Sequence, residues 1–118
     1  MPPTFQDRER AFEAQYAHEQ DLRFRATARR DKLFARWVAT KQHLRPEEAD
    51  HLHKAVLAVP DGLGHDENLL NMVRKAVGEH HGGMSPSNLV AGLSACAVQA
   101  WEELVEAPAP HLAVKGHV

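Results

Sequence analysis

Cysteine is almost absent from this 118-residue chain. Cys96 stands alone, so no intramolecular disulfide can form, which fits a reducing compartment. Long apolar runs are missing, and no stretch approaches the roughly 20 residues of a membrane span. The N-terminus lacks the apolar segment of a secretory signal, and its first charges are mixed. The expectation is a soluble intracellular protein. Alternating β-branched runs are lacking, so strands are not expected. No Walker loop, nucleophile elbow or zincin motif occurs, so nothing in the sequence points to an enzyme. A net charge of -2 speaks against a general nucleic-acid binder.

Glycine and proline are also missing from one particular place, residues 5 to 37, FQDRERAFEAQYAHEQDLRFRATARRDKLFARW. Six of the seven aromatics lie in that stretch, which makes it more than a generic charged helix. Good helix formers dominate a first block from about Asp7 to His43. Leu22, Ala26, Leu33 and Trp37 fall on one face at a 3.6-residue period. Glu19 precedes Arg23 by four residues and Asp21 precedes Arg25 by four, the favourable order for exposed ion pairs.

Three further blocks follow. Pro46 is a good first helical residue, and Glu47, Glu48 and Asp50 suit a helix N-terminus. Leu52, Val56 and Val59 form its buried stripe, and Pro60-Asp61-Gly62 ends it. Asp66 is the expected N-cap of a third helix with Leu69, Leu70, Val73 and Val77 inward and Gly82-Gly83 as its stop. Ser85 and Pro86 open a fourth, whose stripe is Leu89, Leu93, Ala97, Ala100, Trp101 and Leu104. Pro108 closes it, and residues 108–118 read as a loose tail. The fold class expected is all-α, a small four-helix bundle with a long N-terminal helix. The core is stocked from Leu22 onward, so residues 1–20 are not needed for it.

Charge is unevenly spread. Residues 1–21 hold five acids and two arginines, whereas residues 23–36 hold five arginines, one lysine and one acid. Arg25, Arg29, Lys32 and Arg36 recur on one helix face. They are either a solvated face or a docking surface for an acidic partner or a phosphate group. Phe5, Phe12 and Tyr16 share another face, which either packs as core or enters a partner's groove. Nine histidines raise the question of a metal. His51 and His53 are two apart on a helix and diverge, and the adjacent His80 and His81 have the same problem, so no metal site is expected. Cys96, in a small-residue run, reads as a buried structural thiol.

One resemblance is long enough to be specific. Phe5, DRERAFEA at 7–14, AHE at 17–19, LRF at 22–24, ATARR at 26–30, KL at 32–33 and Trp37 together resemble the N-terminal signature of the ζ subunit of alphaproteobacterial F1-ATPases. The chain departs from that signature at Arg10, Gln15 and Asp31. The resemblance implies a four-helix bundle that inhibits ATP hydrolysis by the F1 part of ATP synthase, functionally like the mitochondrial inhibitor protein. It implies that residues 1–20 form a mobile inhibitory segment that becomes helical between a catalytic αβ pair and the γ rotor subunit. Residues 21–107 would be the bundle. Phe5, Arg8, Glu9, Phe12 and Tyr16 would be the contacts. The partners implied are the α, β and γ subunits, at the cytoplasmic face of the inner membrane, with a monomeric free form and no nucleic acid. No cofactor is implied beyond weak binding of ATP or ADP by the bundle, so a nucleotide-binding regulatory bundle is the alternative.

Overall fold

The structure, a computed structural model, describes residues 4–78 and 84–106. Four helices follow one another: α1 (Phe5–Lys41), α2 (Pro46–Leu57), α3 (His65–Gly78) and α4 (Pro86–Glu106). No strand occurs among the described residues. Helix α1 packs against α2 and α4, and α3 packs against the same two, so the four close into a ring around one core. The all-α four-helix class expected from the sequence is what the chain adopts. The expected glycine stop at 82–83, the pair His80-His81 and the tail 108–118 lie outside the described residues.

The punctuation has visible causes. Thr4 closes a capping box: its hydroxyl accepts from the Asp7 N–H at 3.1 Å, and the Asp7 carboxylate accepts from the Thr4 N–H at 3.1 Å. With no glycine or proline to interrupt it, α1 then runs for 37 residues, about 55 Å at 1.5 Å per residue. It ends as Gln42 N–H bonds back to Val38 and Leu44 N–H to Ala39, with His43 left-handed at φ 52°. A side-chain-bearing residue there costs roughly 1–2 kcal/mol relative to a right-handed one.

Helix α2 begins at Pro46, as expected, and Glu48 reaches back to the Arg45 N–H at 3.0 Å. It stops at Leu57, earlier than Pro60-Asp61-Gly62 suggests, and Val59 packs on the core from the connection. Gly62 and Gly64 supply positive φ values of 103° and 79°, which turn the chain into α3. Asp66 is not the N-cap. The helix already includes His65, and the Asp66 carboxylate instead meets Arg30 of α1 at 2.7 Å. Ser85 caps α4 as expected, accepting from the Asn88 N–H at 3.1 Å.

The core is centred on Phe34, Val38, Val56, Leu69, Val73 and Leu89, all fully buried. In α1 this differs from the expected stripe. Leu33 is buried, but Leu22, Ala26 and Trp37 are only half-buried. The reason is that α1 lies against two helices at once, so its buried arc is wider than one stripe and centres on Phe34. Trp101 is also a correction, being 46% exposed at the edge of α4. It borders a groove with Arg23, Ala26 and Arg30, where α1 alone covers that side of α4.

Candidate functional site

Beyond the bundle, α1 continues as an arm. Every described residue from Thr4 to Asp21 is exposed. Phe5, Phe12 and Tyr16 are 75%, 71% and 65% exposed, so none serves this chain's own core. At about 100° per residue the three fall within roughly 40° of one another, in the same arc as the buried Phe34, whereas Leu22 lies about 100° round the helix. The aromatic stripe is therefore the core-facing arc of α1 carried past the end of the bundle. Full burial of each ring against a partner would contribute about 1.5–3 kcal/mol.

Arg8 and Glu9 lie on either side of this stripe and are exposed. The arm keeps its helix by propensity, by the Thr4 cap and by local pairs. Gln15 donates to Glu19 at 3.5 Å, and Arg25 meets Asp21 at 3.1 Å. It also needs no nucleus of its own, because the packed half of α1 already provides one. Phe24, 60% exposed, is a further uncovered ring that the sequence reading did not single out. Its signal was the LRF triplet, but it lies well off the Phe5–Phe12–Tyr16 line.

The basic stripe does not survive as one unit. Arg25 is held by Asp21 on its own helix. Arg29 donates two bonds to Glu103 of α4, at 2.8 and 3.3 Å. That contact holds the Glu103 carboxyl below its usual range and raises the Arg29 guanidinium. Lys32 and Arg36 remain exposed and line a groove with His43 and His53. The argument from spacing about the histidines holds for the described pair: His51 lines the α2–α3 cleft and His53 the α1–α2 groove. Among the described residues no group of three or more His, Cys, Asp or Glu could hold a metal ion. Cys96 is buried, and burial pushes its thiol up, away from nucleophilic thiolate. No described helix is long and apolar enough to cross a membrane.

Neither the curated proteins nor the solved structures contain a match to this chain. A family model does match, over residues 2–103: arm, bundle and all but the end of α4. The match spans the exposed aromatic arm and the bundle alike, and the chain belongs to the ATPase inhibitor subunit zeta family.

Proposed function

We propose that this chain inhibits ATP hydrolysis by the F1 part of ATP synthase, with residues 1–20 as the inhibitory segment. The observation that carries the reading is the uncovered Phe5–Phe12–Tyr16 stripe on a capped helix that projects from the bundle. The segment enters between a catalytic αβ pair and the γ rotor subunit and blocks hydrolytic rotation. Its rings bury large area with few rotamers to freeze, which suits an anchor that must offset an ordering cost. Arg8 and Glu9 set its register through opposite charges on its two flanks. With no buried side chain of its own, the arm is the part of the molecule that opens most readily, which is the basis for reading it as mobile in the free protein. The bundle then braces it at the cytoplasmic face of the membrane, against the outside of F1.

The test is ATP hydrolysis by F1 from the same bacterium, titrated with the intact chain and with a version lacking residues 1–20. The intact chain inhibits and the truncated one, still helical by circular dichroism, does not. Equal inhibition by both would remove the arm from the mechanism.

A further inference from the structure

Lys32 and Arg36, the half of the basic stripe that makes no salt bridge among the described residues, lie opposite two histidines, although Arg36 is near enough to Glu103 to help Arg29 hold that carboxyl down. Lys32 and Arg36 project from α1 into an open groove of about 490 Å³, and His43 and His53 border the same groove, from the end of α1 and from α2. Its floor is small, because Ala35 and Ala39 of α1 face Ala49 of α2. One acid, Asp50, also lines it, but Lys54 meets that carboxylate at 3.1 Å. The groove is therefore locally cationic on a protein whose net charge is -2. Lys32 and Arg36 stand four apart on one helix, a like-charge arrangement that destabilises a free helix by about 0.2–0.5 kcal/mol. His43 adds the cost of its left-handed backbone. The like-charge repulsion would be relieved by one anionic occupant.

We propose that this α1–α2 groove is a second docking surface, and that its occupant is an acidic, carboxylate-bearing segment on the outside of F1. The inference rests on the inhibitor reading above and extends it to the bundle. Carboxylates suit the site better than a compact phosphate. The cationic groups are strung along an open groove instead of converging on a point. The negative end of the α1 dipole lies at the His43 end and opposes any anion there, so the attraction comes from Lys32 and Arg36, farther from the helix end. Lysine and arginine there steer encounter and fix orientation. The histidines offer N–H donors in either protonation state. Because α1 is continuous, the groove and the arm are held at a fixed separation, about 36 Å from Phe12 to Arg36. Binding at one site then raises the effective concentration of the other.

The experiment uses the full-length chain and F1 from the same bacterium. Onset of inhibition and direct binding by interferometry are measured together, from low to high salt. The variants are Lys32→Glu/Arg36→Glu and the milder Lys32→Gln/Arg36→Gln, with helix content and thermal midpoint as folding controls. Charge reversal slows onset and association by about tenfold or more at low salt, the loss shrinks at high salt, and the glutamine pair falls between. Unchanged onset and unchanged salt dependence in both variants would overturn the proposal. A wild-type chain that binds F1 without inhibiting it removes the arm's role, and the groove is then judged on the binding rates alone. A wild-type chain that does not bind F1 overturns both. Titration with inorganic phosphate separates the other source of negative charge. Submillimolar shifts at His43 and His53, with F1 association unaffected by charge reversal, would make this a phosphate site and end the proposal.

Discussion

His65 and Asp31 form the one buried ion pair between α3 and α1 among the described residues: Nε2 lies 2.6 Å from the Asp31 Oδ2. The other ring nitrogen, Nδ1, lies 2.8 Å from the Pro60 carbonyl oxygen. Both partners are acceptors, so both ring nitrogens must donate, and only an imidazolium can do that. Arg30 completes the cluster by meeting Asp31 at 2.8 Å and Asp66 at 2.7 Å. The start of α3 is thereby tied to the middle of α1.

Stability should accordingly fall on the alkaline side. Burial alone would lower the His65 pKa, but the bonds to Pro60 and Asp31 outweigh burial and the net shift is upward. A group whose folded pKa is raised contributes stability below its unfolded pKa, near 6.5, and loses it as pH rises through the folded value. The thermal midpoint of the wild-type chain therefore drops across that window, and His65→Gln removes this part of the slope. Parallel midpoint-versus-pH curves for the two proteins would refute the assignment.

The two cross-helix arginines should behave differently. The Arg30 side chain is only 12% exposed, and removing it leaves a buried Asp31 without its guanidinium. The His65 imidazolium still pairs with Asp31, so Arg30→Ala is expected to destabilise by about 1–3 kcal/mol in urea denaturation. Arg29 and Glu103 are each 39% exposed, so solvent screens their pair. A double-mutant cycle on Arg29 and Glu103 gives a weak coupling that high salt abolishes. A salt-independent coupling would mean the pair is shielded in solution.

Gly92 is a packing requirement. A Cβ built there would lie 2.4 Å from the Trp37 ring, which is itself stacked on Phe34 at a centroid distance of 5.9 Å. Gly92→Ala gains up to about 1 kcal/mol of helix propensity, yet displacing a stacked ring costs about 1–3 kcal/mol. The expected net effect is a loss of stability in urea. A gain would show that Trp37, which is half-buried, moves aside freely.

Two phenylalanines of the same helix separate folding from binding. Phe34 is fully buried, and Phe34→Ala should cost about 3–5 kcal/mol. Phe12 is 71% exposed, and Phe12→Ala should change stability by no more than about 0.5 kcal/mol. The same Phe12 change weakens inhibition of F1. Equal inhibition by wild type and Phe12→Ala, measured on folded protein, would remove Phe12 from the contact.

Local chemistry determined much of this protein from the sequence alone. Pro46, Ser85-Pro86 and the glycine- and proline-free run from Phe5 onward set where helices start and how far α1 extends. Such signals act within a few residues and need no partner. The spacing of Phe5, Phe12 and Tyr16 likewise fixed that they share a face, and the same stretch carried the family resemblance. Tertiary structure decided what no local pattern encodes, namely which faces are covered and which charges meet. Phe34 and Val38 became the centre of α1 because two helices, not one, lie against it. Arg29 left the basic stripe because Glu103, 74 residues away, was brought beside it. His65, lost among nine histidines in the sequence, found two acceptors only when the turn at Gly62 and Gly64 placed it against α1. Periodicity defines the direction of a side chain, but only the neighbouring helix determines whether it meets another chain segment, an opposite charge or water.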